Sequence, residues 1–184
     1  MHYLGDWKEL AVIGDFMANS TDPVTLMQVM ASQDAAGVKR GRPGGDPSLI
    51  VLPPIEQYRA DYVFLTPDKY AFDFVSIVAL PEAKVYLDDV LIGPQQCEIT
   101  AADGLTEAER GSPVPPYLVY RCQLGFPLID PLPNPPVTTA GTQNDGVHRL
   151  TSDSPIGVVV TGFDAYVTYG YAGGTDLNEI ATPE

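Results

Sequence analysis

Tyr70-Ala71-Phe72-Asp73-Phe74-Val75-Ser76-Ile77-Val78-Ala79-Leu80, then Pro81-Glu82-Ala83, then Lys84-Val85-Tyr86-Leu87-Asp88-Asp89-Val90-Leu91-Ile92, is the stretch on which the fold turns. In an extended chain its first part puts Phe72, Phe74, Ser76, Val78 and Leu80 on one side and Val75, Ile77 and Ala79 on the other. A segment apolar on both sides predicts a central strand, buried on both faces for most of its length. Pro81-Glu82-Ala83 turns the chain. Lys84–Leu87 and Val90–Ile92 then read as a hairpin closed by the two-residue turn Asp88-Asp89.

The same grammar holds outward in both directions. Residues 10–18 read as a strand, and so does Val24 to Met30, against a competing short helix capped by Asp22 and opened by Pro23. Leu49–Leu52 is short and apolar, and Tyr62–Leu65 is a strand before the turn Thr66-Pro67-Asp68-Lys69. Thr106–Arg110 fits one helical turn, and Leu118–Leu124 a strand. Residues 147–151 read as a strand, Ser152-Asp153-Ser154-Pro155 as a turn, Ile156–Phe163 as a β-branched core strand, and Ala165–Tyr171 as an alternating one. Residues 125–146 read as irregular, because Pro127, Pro131, Pro133, Pro135 and Pro136 oppose a regular ladder. So long a connection predicts an exposed binding loop or a disordered insert. Short strands broken by Pro, Gly and Asp turns, without alternating helices, predict an all-β protein: an antiparallel β-sandwich or jelly-roll-like fold.

A weak internal echo links Ser20-Thr21-Asp22-Pro23-Val24 with Ser152-Asp153-Ser154-Pro155-Ile156, each a polar turn entering an apolar strand. On that reading residues 1–38 are the terminal strands of a preceding sandwich unit. Residues 39–47 are a linker or loop, 48–177 the sandwich module and 178–184 a tail.

Composition narrows the function. The 184 residues carry 10 Lys plus Arg against 24 Asp plus Glu, a formal charge of −14, with 18% charged and 45% hydrophobic residues. A nucleic-acid partner is not expected without a cationic footprint. Membrane insertion is not expected either, since no apolar run reaches the length of a span. Met1-His2-Tyr3-Leu4-Gly5 lacks the basic and apolar regions of an export signal, so an exported parent would be represented here by a mature fragment. Lys39-Arg40-Gly41-Arg42 is the only basic cluster; it reads plainly as a solvated loop tip, or functionally as a contact for an anion or a partner.

Reactive sets are sparse. His2 and His148 are the only histidines, too few for a zinc site, and His148 reads as an edge-strand or turn-flanking residue. It has no nucleophile elbow and no cysteine pairing pattern about it. Asp88, Asp89, Asp145 and Asp153 stand at strand ends without calcium-loop spacing, which favours turn chemistry over a shallow calcium site. Glu56, Asp61 and Asp73 are candidates for a glycosidase pair only in the sense that any two carboxylates can face one cleft. No cofactor motif is present, and the expected answer is that the chain is not an enzyme. Of 10 tyrosines, Tyr166, Tyr169 and Tyr171 cluster near the end, with Tyr169 and Tyr171 on one face. Such a row is either cross-strand packing or a contact surface. With Phe126 at the head of the Pro-rich stretch, these are the candidate binding residues. Cys97 and Cys122 are either a disulfide of an exported protein or two buried thiols.

Pro54-Ile55-Glu56-Gln57-Tyr58-Arg59, Asp61-Tyr62-Val63-Phe64-Leu65-Thr66-Pro67 and Tyr70-Ala71 resemble the start of the core of the IgGFc-binding protein N-terminal domain family. Val85-Tyr86-Leu87-Asp88, the Cys122 strand, Asp145-Gly146-Val147-His148, Ser152 to Gly157 and Tyr169-Gly170-Tyr171 with Gly173-Gly174 extend the likeness over roughly residues 12–177. The resemblance is to a bacterial-type member. It implies a β-rich module of a larger exported protein, extracellular or at the cell surface, engaged in binding or adhesion to a protein or glycan ligand. The alternative is a structural spacer. It also implies that Cys97 and Cys122 are paired, and it brings no catalytic residues and no cofactor. The insert Phe126 to Gly141 departs from the family pattern, and antibody binding does not follow from the family's name.

Overall fold

The computed structural model describes residues 5–176; His2 and the expected tail at 178–184 lie outside them. The described residues are all-β and antiparallel, with β11 (Gly146–Asp164) as the spine. The first half of β11 pairs with β3 (Arg59–Thr66) on one side and β5 (Val85–Leu87) on the other. Its second half pairs with β4 (Phe72–Ala79) and β12 (Val167–Ala172). The register with β3 shifts between Thr151 and Ile156. Ser152–Pro155 is therefore a bulge inside one strand of 19 residues, not the expected turn. The sheet changes there without a break in the strand. Tyr62 Oη donates to Ile156 O at 2.6 Å, and Asp153 Oδ1 accepts Lys84 N–H at 2.9 Å, so the polar groups freed by the bulge are used locally.

That bulge folds β11 back on itself. β3 ends opposite Gly146 and β4 begins opposite Phe163, yet only residues 67–71 join them. Such a link reaches about 20 Å, whereas a straight strand from Gly146 to Phe163 would run about 57 Å. The two halves must face each other, and the core lies between them. It contains Tyr62, Leu150 and Val85 from the first sheet, and Val75, Ile77, Val158 and Val160 from the second.

The order β6-β5-β11-β4-β8-β7 completes the main sheet, with β6 (Val90–Leu91), β7 (Cys97–Ala101) and β8 (Leu118–Gln123). β4 is central, as its sequence predicts, but only the face of Asp73, Val75, Ile77 and Ala79 is fully buried; the opposite face is half-buried, where burial on both was expected. The Asp88-Asp89 hairpin forms, both residues in the left-handed region at φ 50° and 65°, as a two-residue turn between twisted strands requires. Thr106–Arg110 does give a helical turn, α1 (Glu107–Arg110), held by a capping box between Thr106 and Glu109. Cys97 and Cys122 face each other across β7 and β8 and form a disulfide.

Two further ribbons flank the sandwich. β1 (Leu26–Val29), a strand and not the competing helix, pairs with β2 (Leu49–Leu52). Ile50 of β2 packs where Gly170 of β12 has no Cβ; a methyl group there would lie 2.5 Å from the Ile50 Cδ1. The second ribbon corrects the sequence reading: residues 125–146 are not irregular but hold β9 (Gly125–Asp130) and β10 (Val137–Gln143). A two-stranded ribbon leaves each strand a free edge, which tolerates proline. Pro127 falls where the register shifts, and the other four prolines lie in the connecting loop. Residues 10–18 also depart from expectation. They form no strand, bend at Ile13-Gly14, where Gly14 has φ 101°, and leave Ile13 and Phe16 exposed. Apolar content alone makes no strand where no edge receives it. The segment is tied down by Asp15, which pairs with Arg121 and accepts from Thr100 Oγ1 at 2.6 Å.

Candidate functional site

The inner face of the second sheet is built from rows that cross three to five strands. One row runs Val158, Ile77, Tyr120, Ile99. The next runs Tyr171, Val160, Val75, Cys122, Cys97, and a third Tyr169, Gly162, Asp73. The third row turns polar. Tyr169 Oη donates to Asp73 Oδ1 at 2.5 Å across Gly162. Only glycine fits between them, since a Cβ at position 162 would lie 2.3 Å from the Tyr169 ring.

Asp73 has no exposure, and its Oδ2 is buried without a partner. Burial raises its carboxyl above the usual value, the Tyr169 hydrogen bond works against that rise, and the nearby Asp145 charge adds to it. Burial, then the Asp73 carboxylate, push the Tyr169 hydroxyl upward, so it stays a donor.

His148 lies across the core from this row, two residues into β11 and beside the Asn144 corner, and it is buried. Its ring stacks on Phe64 at 5.0 Å. Nδ1 meets Asp88 Oδ2 at 2.8 Å, while Nε2 meets Asn144 O at 2.9 Å and Thr66 Oγ1 at 3.1 Å. Acid, imidazole and hydroxyl in this order resemble a nucleophile's relay, but the geometry serves a clamp. Both ring nitrogens face acceptors, Asp88 Oδ2 and the Asn144 carbonyl, so either tautomer donates to one of them and holds the ring in place. Thr66 is itself 1% exposed, so its hydroxyl is closed off from any substrate. His148 ties the Asp88 turn to the corner at Asn144.

Above the polar row a groove of about 580 Å³ opens between the sheet edges. Tyr169 and Tyr171 of β12 form one wall, and Val63, Leu65, Pro67 and Val147 the other. Tyr169 and Tyr171 stack at 6.2 Å and do share a face. Tyr171 Oη donates to Leu65 O at 2.6 Å and accepts Leu65 N–H at 3.0 Å. One hydroxyl thus caps both outward backbone groups of one residue on β3, whose only paired neighbour among the described residues is β11. Alternation along an antiparallel strand turns the backbone groups of Val63 outward as well. Val63, Leu65 and Val147 are exposed side by side.

The other two candidates lie elsewhere. Phe126 is half exposed on β9, outside the groove lining. Tyr166 occupies the turn between β11 and β12 and lines a second cleft with Arg40 and the Asn134-Pro135 loop. The weak glycosidase candidates do not converge: Asp61 is ion-paired with Arg149 on the outer face, Glu56 sits on an exposed turn and Asp73 is interior. Asp88, Asp145 and Asp153 serve separate corners, and no three His, Cys, Asp or Glu residues gather in metal-binding geometry among the described residues. Sequence reasoning missed β3 as an edge and Asp73 as a buried acid. Asp73 shares the parity of Val75, Ile77 and Ala79, and that signal was there to be read.

An antiparallel sandwich whose accessible feature is an aromatic-walled groove beside an open strand edge is built as a binding module. Residues 3–162 match the model of the IgGFc binding protein family, and the chain belongs to that family. No curated protein and no solved structure matches it.

Proposed function

We propose that the chain is a noncatalytic binding and adhesion module of a larger exported protein, a bacterial-type member of its family, and that it grips an extended segment of a partner protein along β3. The supporting observation is the free edge of β3, with Val63 unpaired beyond β11 and an apolar groove walled by Tyr169 and Tyr171 beside it. Strand addition gains affinity from main-chain hydrogen bonds and selectivity from pockets for alternate side chains. The groove offers such a pocket where the edge is open. The Cys97–Cys122 disulfide suits an oxidising compartment, which supports an extracellular or cell-surface location. In the proposed module, which spans residues 48–177, the groove is lined by residues between Val63 and Tyr171, and the preceding segment adds β1 and the basic loop.

The test selects extended peptides from a displayed random library against the whole chain, then follows amide exchange. Bound peptides are expected to protect the Val63 amide, and Val63→Pro, which removes that donor on an edge strand, is expected to abolish capture while the fold persists. Selected peptides that leave Val63 exchange unchanged would remove the proposal.

A further inference from the structure

Three features that stand far apart in the sequence meet in the second cleft, about 500 Å³ in volume: the basic loop through Arg40-Gly41, the proline-rich loop through Asn134-Pro135, and the turn Ala165-Tyr166. The backbone there is held firmly. Gln33, with no exposure, accepts Tyr166 N–H on Oε1 and donates from Nε2 to Lys39 O, both at 3.3 Å. Gly45 N–H bonds Asp164 O at 2.9 Å, and Gly41 lies so close to Pro135 that a Cβ would sit 2.5 Å from its side chain. The cleft is a fixed surface between three anchored loops.

Acids outnumber bases 24 to 10, and Arg110, Arg121 and Arg149 each hold an aspartate. Half of the six arginines, Arg40, Arg42 and Arg59, have no ion pair among the described residues, and of these Arg40 lines the cleft. No carboxylate among the described residues lines it. Two residues on, Arg42 Nε is buried without a hydrogen-bond partner. A guanidinium left unpaired in so acidic a protein is free for an external anion. Tyr166 adds a second sign. Its φ is 57°, a hairpin-turn conformation that favours Gly, Asn or Asp. The tyrosine is held there against that preference, 41% exposed, with its ring at the cleft.

The geometry points to a binding site for an acidic saccharide, one bearing a carboxylate or sulfate. Arg40 would take the acid group, the Tyr166 ring and Pro135 the apolar face of the sugar, and the Asn134 amide its hydroxyls. An acidic peptide would use the arginine but has less need of an exposed ring beside an amide. The site is separate from the β3 edge and does not depend on strand addition.

Calorimetric titration of the whole chain with a sulfated hexasaccharide, an oligouronate of similar length, maltohexaose and hexaglutamate tests it. The acidic saccharides are expected to bind, weakening as salt rises, and maltohexaose to bind at least about tenfold more weakly, the worth of one charge-assisted contact. Arg40→Gln, at an exposed position, is expected to lose about tenfold in affinity for the acidic saccharides. Tyr166→Asn keeps a residue suited to the turn while removing the ring, and should lower binding of both acidic saccharides. Equal binding of maltohexaose, tighter binding of hexaglutamate, no saccharide binding at millimolar concentration, or an Arg40→Gln protein that binds as well as the parent would each overturn the assignment.

Discussion

Val75 and Asp73 stand two residues apart on the same face of the same strand, both with no solvent exposure, and they show two ways of using a core. Val75 lies in a row of Val160, Cys122 and the disulfide to Cys97, where every neighbour is apolar or covalently joined. Asp73 lies in a row where a glycine makes room for a tyrosine hydroxyl, and one of its own oxygens has no partner. The first row contributes stability through burial and cross-linking. The second spends some of it to hold Tyr169 in place under the groove. If that contrast is real, changes in the two rows must differ in sign as well as size.

The largest effect is expected at the disulfide. Replacing Cys97 and Cys122 together by Ala removes a cross-link that closes a loop of intermediate length and should lower stability by about 3 kcal/mol. Urea unfolding of the double variant beside the oxidised parent measures it. Val75→Ala comes next. Removing two methyl groups from a fully buried site that cannot collapse should cost about 2.5 kcal/mol. A loss under about 0.5 kcal/mol, the usual scale of surface substitutions, would show that the row is looser than its burial implies.

Asp73→Asn should go the other way. An amide keeps the shape and offers its oxygen to Tyr169; its NH2 takes the unpartnered Oδ2 position, where a neutral group costs less than a charge that has one partner and needs more. Stability at pH 7 is expected to rise by about 1 kcal/mol. The pH dependence gives the sign. The Asp73 carboxyl is raised in the folded protein, so the stability it contributes is fully present below its unfolded value of 3.8 and is lost as pH rises through the folded value. The parent should therefore gain stability from this group on acidification from neutrality toward that value, and the Asn variant should not. Asp103 runs opposite. Its bond to Arg110 lowers it to about 2, so its share is present above 3.8 and lost as pH falls toward 2. Unfolding at pH 7 and pH 4.5 separates the two windows. An Asp73→Asn protein that loses as much stability as Val75→Ala would erase the contrast between the rows.

Much of this was written in local sequence. The parity of β4, the left-handed Asp88-Asp89 turn and the capped turn at Thr106 depend on neighbours a few residues away. What pairing decides was not. Ser152-Asp153-Ser154-Pro155 has turn composition, yet β3 on one side of it and β4 on the other keep the chain extended through a bulge. Pro127 looks prohibitive until the ribbon leaves it a free edge. At the site, alternation placed Tyr169 and Tyr171 together, but parity does not say which face is inward. The structure resolves the choice by giving them both tasks: their hydroxyls bind inside the molecule, at Asp73 and Leu65, while their rings wall the groove.

Tyr171→Phe probes that double use with the smallest expected change in stability. The lost hydroxyl frees Leu65 N–H and C=O. Leu65 is 54% exposed, so water replaces most of what the tyrosine gave, and the cost should be about 0.5 kcal/mol. The groove wall keeps its ring. The β3 edge, however, becomes longer, because the freed groups of Leu65 lie on the same side as those of Val63. A peptide that adds as a strand can then form an additional pair of backbone hydrogen bonds, and peptides captured by the parent should bind the variant several-fold tighter. The Leu65 amide should exchange faster in the free variant and become protected in the complex. Tighter binding at nearly unchanged stability would separate the capping role of the hydroxyl from the walling role of the ring. Weaker binding would mean that peptides use the hydroxyl directly and that β3 is not extended by them.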